Sequence, residues 1–356
     1  MDLEKILIVG TGNGGQAAAV DLTSRGFKVC LYEFPEFSDK LQTKLKTQSI
    51  TAEGILTGGI KIDLITTDVK KASEYSKTVL VTMPAFGHQH FISTFKDDIQ
   101  EDSRVYFFPG NLSTLLTLEM SNLTEKGISL VEFNSLPYGC RIKEDGTIKI
   151  GIKNSLMTFA AFPAIDTEKV VEEVEKLYPG QEQSLDILEV ALSNPNPLIH
   201  PPGVLLNIGR IEHSDGNFYM YNEGMTPSIL KIIESVDKER QKIAEELSYK
   251  LIAFSEFGGI LVDGRKEHFI TCGEEALMLG PCNRNNRYLT EDVPYGLVYW
   301  SEIGKKLGIE TPHTDAIITM TSSICDLDFS KQRNYIRDLL PDGSREMRRF
   351  LYRGKI

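Results

Sequence analysis

Three glycines near the start of the chain have the spacing of a phosphate-binding turn. Gly10, Gly12 and Gly15 follow an apolar, β-branched run, and an alanine-rich segment comes directly after them. Between a strand and a helix, the first glycine allows a tight turn, the second lets the backbone approach a pyrophosphate, and the third lets the helix pack on the strand. The helix N-terminus, which includes Asn13 and Gly14, then offers N–H groups to the phosphates. The pattern predicts a dinucleotide site; the alternative is an ordinary glycine turn.

An acid about 20 residues later predicts which dinucleotide binds. Glu33 follows a second apolar run that begins at Phe27. A carboxylate in this position accepts hydrogen bonds from both ribose hydroxyls and repels a 2′-phosphate. The next residues, Phe34 to Glu36, include no arginine that could bind such a phosphate. The sequence therefore favours NAD over NADP, with NADP as the alternative cofactor; otherwise Glu33 is a solvated acid at a strand end.

Two further apolar runs end in proline. One run from Thr78 to Met83 precedes Pro84, and another that begins at Arg104 ends at Pro109. Ligands of open α/β sheets bind outside the carboxyl ends of the strands. Pro84 and Pro109 are therefore predicted to lie near the nicotinamide end of the cofactor, and the alternative is two plain strand-to-loop turns.

One histidine in the second half of the chain is surrounded by prolines. The segment from Ser193 to Asn207 contains four prolines, and Pro201 and Pro202 directly follow His200. Proline fixes the backbone and opposes a helix interior, so we expect a rigid turn with a helix restarting near Gly203. A histidine with a fixed orientation suits acid–base catalysis, and the alternative is a structural capping histidine.

The chain resembles the octopine/nopaline (opine) dehydrogenase family over essentially its whole length. The resemblance rests on five motifs: the Gly10–Gly15 turn, the Asn-x-Asn-x-x-x-His-Pro segment that ends in Leu-Leu-Asn at Asn207, the turn 223–228, Glu291-Asp292-Val293, and Thr311-Pro312-x-x-Asp315. In that family a histidine and an aspartate of the helical domain form the catalytic pair, and by motif they fall on His200 and Asp315. A carboxylate on the second ring nitrogen fixes the histidine tautomer and stabilises the imidazolium. Taken alone, Asp315 is an acid at a helix N-terminus.

Three more residues are candidate substrate ligands. Arg287 resembles a family arginine, and a guanidinium binds a carboxylate through a bidentate fork. Its alternative is an ion pair with Glu291 or Asp292. Asn207 is expected to bond a substrate carboxylate or the nicotinamide amide. Glu132, at the end of a predicted strand, is expected to bind the ammonium or a cationic side chain of an amino acid.

The secondary structure predicted around these residues is of two kinds, one in each half of the chain. Up to residue 163, short β-rich runs alternate with helical stretches, which predicts a Rossmann-type, doubly wound α/β domain. The predicted strands are Ile6–Gly10, Phe27–Glu33, Ile60–Thr66, Thr78–Met83, Arg104–Pro109, Ser129–Phe133 and Thr147–Lys153. From residue 164 to 356 helical periodicity dominates, as in the segments Thr167–Tyr178 and Thr226–Leu251, so we expect a mainly α-helical C-terminal catalytic domain.

The resemblance implies an NAD(P)H-dependent oxidoreductase acting on CH–NH groups. In such an enzyme a hydride reduces the imine formed from an α-keto acid, usually pyruvate, and the amino group of an amino acid. One alternative is a 2-keto-acid reductase of the ketopantoate reductase or 3-hydroxyacid dehydrogenase type, which uses no amine. A second alternative is a nicotinamide-sensing or scaffold protein without activity.

Composition limits the partners. The chain has 356 residues, 41% of them hydrophobic and 25% charged, with a net charge of −11, which argues against nucleic acid. No apolar stretch reaches the ~18 residues of a membrane span. The N-terminus enters the first strand directly, so we expect no signal peptide. Five scattered cysteines show no zinc spacing or disulfide pattern, and we expect a cytoplasmic protein that binds small molecules and no metal.

The C-terminal segment differs from the rest in charge. Between Lys331 and Ile356 it has eight basic and three acidic side chains. We interpret it as the solvated end of an amphipathic helix; the alternatives are an oligomer contact and help in binding an anionic ligand. A homodimer formed through the helical domain is a further expectation.

Overall fold

A computed structural model describes residues 4–154, 157–259, 279–331 and 334–355. The chain forms two compact units, one of Met1–Val190 with Leu351–Gly354 and the other of Ala191–Phe350 with Lys355–Ile356. The first unit thus extends past the boundary predicted at residue 163. The reason is that two strands, Thr158–Phe162 and Glu182–Gln183, still belong to its sheet.

An eight-stranded sheet forms the centre of the first unit. Its strands in chain order are β1 (Lys5–Val9), β2 (Lys28–Tyr32), β5 (Leu64–Thr66), β6 (Thr78–Val81), β7 (Arg104–Phe107), β8 (Ser129–Phe133), β11 (Thr158–Phe162) and β12 (Glu182–Gln183). Their spatial order is β12-β11-β8-β7-β6-β1-β2-β5, and every pair is parallel except β8 with β11. The crossovers on both sides of β1 are those of a doubly wound fold, as predicted.

The central strands form because their side chains are apolar on both faces. Leu7, Ile8 and Val9 of β1 are fully buried, as are the apolar residues of β6. Strands covered by helices on both sides have such continuous apolar runs. This arrangement brings the carboxyl ends of β1, β2, β6 and β7 to one edge of the sheet.

A second, four-stranded sheet was not predicted. It consists of β3 (Ser49–Gly54), β4 (Gly58–Lys61), β9 (Tyr138–Ile142) and β10 (Ile148–Lys153), in the order β4-β3-β10-β9. The predicted strand Ile60–Thr66 was wrong as a single element, since β4 pairs with β3 in this sheet whereas β5 pairs with β2 in the larger one. A continuous β-rich run does not reveal that the chain changes sheets within it.

Short helices connect the strands of the first unit and lead out of it. They are α1 (Asn13–Ser24), α2 (Gln42–Thr47), α3 (Val69–Tyr75), α4 (His88–Phe95), α5 (Ser113–Met120), α6 (Val171–Leu177) and α7 (Ile187–Leu192). The alanines of α1 are fully buried because small side chains let this helix lie close to the sheet.

The second unit is helical. Its helices are α8 (Asn196–Leu205), α9 (Ile208–His213), α10 (Pro227–Leu247), α11 (Arg287–Thr290), α12 (Val298–Leu307), α13 (Pro312–Cys325), α14 (Asn334–Leu339) and α15 (Ser344–Arg353), with π-helical turns at Met220–Gly224 and Val293–Leu297. Helix α10 begins after Thr226, as predicted from the Thr-Pro pair, and it ends where Ser248 adopts a left-handed conformation. Among the described residues, no helix combines the length and the apolar character needed to cross a membrane.

Candidate active site

The glycine turn follows β1 and has the geometry that its sequence predicts. Gly10 has a φ of +100°, which an L side chain rarely adopts, and a Cβ on Gly15 would lie 1.8 Å from the carbonyl oxygen of Gly10. By contrast, a Cβ on Gly12 would meet no described atom within 4 Å. Gly12 also lies at the N-cap of α1, where no side chain caps the helix. The open backbone and the uncapped N-terminus fit a pyrophosphate.

The other two residues of this turn contact neighbouring segments. The Asn13 side chain accepts a hydrogen bond from the backbone N–H of Ile142 at 2.8 Å. Gly14 faces Leu136, whose Cδ2 would lie 2.8 Å from a Cβ at that position. Asn13 therefore helps to position the turn through its side-chain oxygen.

Glu33 lies at the end of β2 and turns toward the glycine turn. Its Oε2 accepts hydrogen bonds from the backbone N–H of Thr11, at 3.1 Å, and from the Thr11 hydroxyl. Its Oε1 accepts one from the N–H of Phe34 at 3.0 Å. The Thr11 bonds occupy both lone pairs of Oε2, so Oε1 is the oxygen left for a ribose hydroxyl.

The two proline loops follow β6 and β7 at the same sheet edge. Pro84 is half-buried and precedes a short 3₁₀ turn, and Pro109 is joined to Phe108 by a cis peptide bond. Buried His88 links the two loops, because its ring nitrogens bond the carbonyl oxygen of Met83 and the hydroxyl of Ser113. His88 is therefore a packing histidine.

Glu132 does not take the position expected of a substrate ligand. Its carboxylate is fully buried and accepts hydrogen bonds from the backbone N–H groups of Leu112, at 2.9 Å, and Thr114, at 2.8 Å. Burial raises its pKa to about 7, against the lowering effect of those two N–H groups. Glu132 instead holds the first turn of α5 and the loop after β7, because a side chain without solvent access cannot bind an incoming ammonium.

His200 lies within a helix and not in the turn that its prolines predicted. Helix α8 runs from Asn196 to Leu205 and includes both Pro201 and Pro202. The prolines withhold two backbone donors, but α8 packs against α10, α11 and α13, and this tertiary packing outweighs the local preference. The prediction of a helix restarting near Gly203 was wrong for the same reason.

Both ring nitrogens of His200 are engaged. Nδ1 lies 2.7 Å from Oδ2 of Asp292, and Nε2 lies 2.9 Å from the hydroxyl of Tyr221. Tyr288 stacks on the imidazole with ring centroids 3.7 Å apart and planes 10° from parallel. Only 10% of the His200 side chain is exposed. The ring is thus fixed in position, in plane and in tautomer.

The carboxylate that bonds His200 differs from the one expected. Asp315 lies in the first turn of α13 and accepts a hydrogen bond from the Ser301 hydroxyl at 2.6 Å. Asp292, which precedes the π-helical turn Val293–Leu297, takes the position on Nδ1. Asp315 is the helix N-terminal acid that its Thr-Pro context suggested as an alternative, and Asp292 fits the orienting role.

Arg287 lies on a helix that packs against the helix of His200, and Asn207 follows that helix in the chain. Arg287, on α11, pairs with Glu291 at 3.1 Å through Nε, and its side chain is 48% exposed. This is the ion pair considered as its alternative. Asn207 donates from Nδ2 to the carbonyl oxygens of Gly203 and Gly224. Because both of its N–H groups are used, Asn207 offers only an oxygen, which cannot bond a carboxylate.

Sequence reasoning missed Asp292 as a partner, and it missed Tyr221 and Tyr288 altogether. His200 and Asp292 are 92 residues apart, so no local spacing connects them. The available signal was the motif Glu291-Asp292-Val293, which contributed to the family resemblance but not to the assignment of a role. Tyr221 lies just before the turn 223–228, which contributed in the same way.

Comparisons with known proteins find a matching family model and similar chains. A family model described as NAD/NADP octopine/nopaline dehydrogenase, alpha-helical domain, matches residues 183–325. Opine dehydrogenase of Arthrobacter sp. (strain 1C) is 29% identical over 347 residues, covering 93% of this chain and 94% of the relative. The protein ocs of Agrobacterium tumefaciens (strain Ach5) is 24% identical, covering 96% of this chain and 97% of its own length.

Solved structures share the fold. An octopine dehydrogenase with NADH and L-arginine superposes with a TM-score of 0.75 at 19% identity, over 99% of this chain and 98% of the other. An apo yersinopine dehydrogenase superposes with a TM-score of 0.71 at 12% identity, over 98% and 97%. Residues 183–325 thus match the helical domain of octopine/nopaline dehydrogenases, and the chain is similar to an opine dehydrogenase along nearly its full length.

Proposed function

We propose that this chain is an NAD(H)-dependent opine dehydrogenase, which condenses an α-keto acid with the amino group of an amino acid and reduces the resulting imine. The main support for this proposal is the position of His200, whose ring is fixed between Asp292 and Tyr221 in the helical unit. A histidine oriented by a carboxylate can take a proton from an amine and later return one to a leaving hydroxyl.

The residues of the glycine turn fit the cofactor. We propose that the backbone of Gly10, Gly12 and Gly15 and the N-terminus of α1 hold the pyrophosphate, and that Glu33 bonds the ribose through Oε1. When bound, NADH supplies a hydride. Its site is completed by the loops at Pro84 and Pro109, which end the adjacent strands β6 and β7. NADP is the alternative, and a related yersinopine dehydrogenase was solved with NADP+.

Arg287 is the candidate for the substrate carboxylate. Its Nε is paired, but its guanidinium is half exposed and its short helix also presents Tyr288 to His200. Guanidinium–carboxylate bonds are strong and directional, so Arg287 would hold the keto acid close to the histidine. Pyruvate is the first keto acid to test, because octopine dehydrogenase has been solved with pyruvate. Asn207 Oδ1 is the matching acceptor for a substrate ammonium.

The test is NADH oxidation by the full chain with pyruvate, with and without a pool of amino acids. We expect oxidation only when both substrates are present, and we expect His200→Ala to abolish it while NADH fluorescence still reports binding. Turnover of a keto acid alone would instead identify a simple 2-keto-acid reductase. Cofactor binding without turnover on a broad panel of amines and keto acids would support a non-enzymatic role.

We also propose that the chain forms a homodimer, which light scattering on the purified chain would detect. We further propose a cytoplasmic location, which fractionation of the source cells would test.

A further inference from the structure

We infer that Tyr221 is a catalytic residue, through whose hydroxyl His200 exchanges protons with the substrate. This inference rests on the proposed function, because it concerns the proton transfers of imine formation. Both ring nitrogens of His200 are hydrogen-bonded to other side chains, Nδ1 to Asp292 and Nε2 to Tyr221.

Among residues 4–154, 157–259, 279–331 and 334–355, the contacts around His200 leave one route for a proton. Nδ1 bonds Asp292, Tyr288 covers one face of the ring, and only 10% of the side chain is exposed. The remaining nitrogen, Nε2, bonds the Tyr221 hydroxyl at 2.9 Å. Tyr221 itself is half-buried. A proton that leaves or reaches Nε2 therefore passes through the oxygen of Tyr221.

The directions of these hydrogen bonds follow from which groups can donate a proton and which can only accept one. A carboxylate only accepts, so Nδ1 donates to Asp292. In the neutral ring Nε2 is then an acceptor, and the Tyr221 hydroxyl donates to it. When the ring is protonated, Nε2 donates and the Tyr221 oxygen accepts. The hydroxyl can thus pass a proton in either direction without moving its heavy atoms.

This relay balances the steps of imine formation. First, the substrate ammonium gives a proton to the Tyr221 oxygen, whose own proton moves to Nε2 of His200. The free amine attacks the keto carbon to form a carbinolamine. The imidazolium then returns its proton to the Tyr221 oxygen, which passes a proton to the carbinolamine hydroxyl. That group leaves as water, the carbon–nitrogen double bond forms, and the histidine is neutral again.

The local structure explains how Tyr221 reaches His200. Tyr221 lies on the π-helical turn Met220–Gly224, and such turns are frequent at functional sites. The turn packs closely on α8 because position 203 is a glycine, where a Cβ would lie 2.7 Å from the Met225 methyl group. Asn207 connects this turn to α8, since its Nδ2 donates to the carbonyl oxygens of Gly203 and Gly224.

Within the part of the chain that the structure describes, three titratable side chains contact His200: Asp292, Tyr221 and Tyr288. On the same short helix, Arg287 and Glu291 pair with each other. Helix α10, which also packs on α8, directs Glu239 to the N-terminus of α13 and Arg240 to Asp237.

The test compares Tyr221→Phe, which removes only the hydroxyl, with wild type. The matched control is Tyr219→Phe, which removes a hydroxyl two residues earlier that has no described bond to His200. We expect Tyr221→Phe to lower kcat by about 10²-fold, the usual contribution of general acid–base catalysis, with KM for NADH unchanged. The limb of the pH–rate profile that reports His200 should shift in this variant and not in Tyr219→Phe. An unchanged kcat and pH profile in Tyr221→Phe would overturn the inference.

A second measurement does not depend on turnover. Nitrogen NMR of the histidine rings reports the hydrogen bond at Nε2 of His200, and we expect Tyr221→Phe to shift that resonance while the Nδ1 resonance stays. An unshifted Nε2 resonance would contradict the inference. If the phenylalanine variant melts early, a proton inventory on wild type replaces it: two protons in flight give a curved dependence of kcat on deuterium content, and a straight line would contradict the relay. Wild type without turnover would defeat the proposed function, whereas the NMR comparison would still decide the bond.

Discussion

At the scale of single residues, the chemistry depends on how His200 is held. Its orientation is set by a carboxylate on one nitrogen, a hydroxyl on the other and an aromatic ring on its face. Replacing Asp292 with asparagine removes the charge and keeps the shape, so it should disturb the tautomer of His200 more than it disturbs the fold. This distinguishes Asp292 from Asp315, which bonds Ser301 instead.

We predict that Asp292→Asn lowers kcat by about 10³- to 10⁴-fold, as expected when an amide permits the wrong histidine tautomer. Asp315→Asn should lower it by less than about tenfold, because an amide oxygen can still accept the bond from Ser301. Steady-state kinetics with both substrates measures the effect, and thermal melts control for folding. If Asp315→Asn were the more damaging change, the assignment of Asp292 as the orienting carboxylate would be wrong.

At the scale of elements, two glycines of one turn have different roles: Gly15 is needed for folding, and Gly12 is expected to be needed for cofactor binding. A Cβ on Gly15 would collide with the backbone of Gly10, whereas one on Gly12 would enter open space. The φ of Gly12 is −67°, which alanine adopts without strain. The same substitution at two positions of one turn should therefore have two different consequences.

We predict that Gly15→Ala lowers the free energy of unfolding by about 1–3 kcal/mol, the usual effect of overpacking. Gly12→Ala should leave stability within about 0.5 kcal/mol of wild type but weaken NADH binding by at least about tenfold, because its methyl group would occupy the space proposed for the pyrophosphate. Urea denaturation and NADH fluorescence titration measure the two effects. A Gly12→Ala variant with wild-type NADH affinity would contradict the proposed cofactor site.

The buried carboxyl that holds helix α5 should make stability depend on pH. Burial raises the pKa of Glu132 to about 7, above its ordinary value of 4.5, so the folded state binds the proton more tightly than the unfolded state. Its contribution is therefore complete below the unfolded pKa and is lost as the pH rises through the folded one. The free energy of unfolding should fall between pH 5 and pH 8 by on the order of 2 kcal/mol.

Denaturation of wild type and Glu132→Gln at several pH values tests this dependence. We expect the stability difference between them to shrink as the pH rises, because glutamine does not titrate. Glu119→Gln, on the exposed side of the same helix, is the control and should retain the wild-type pH dependence. A difference that stays constant from pH 5 to pH 8 would show that Glu132 does not titrate in this range.

At the scale of the whole molecule, local sequence patterns predicted several elements correctly, whereas contacts between residues far apart in the chain were missed. The central parallel strands, the glycine turn and helix α10 follow from hydrophobic period, glycine spacing and a Thr-Pro start, each contained within about 20 residues. The second sheet was missed because β10 pairs with β3 nearly 100 residues earlier. The helix around His200 was missed because tertiary packing overrides proline, and Asp292 was missed because its pairing is long-range.

In the proposed reaction a hydride from NADH reduces an imine made from two substrates. The decisive measurement uses NADH deuterated at its reactive position, pyruvate and a pool of amino acids, with products resolved by mass spectrometry. We predict one deuterium on the former keto carbon of a secondary amine dicarboxylate, and no such product from His200→Ala. Deuterium recovered only in a 2-hydroxy acid, formed equally without amino acids, would contradict imine reduction.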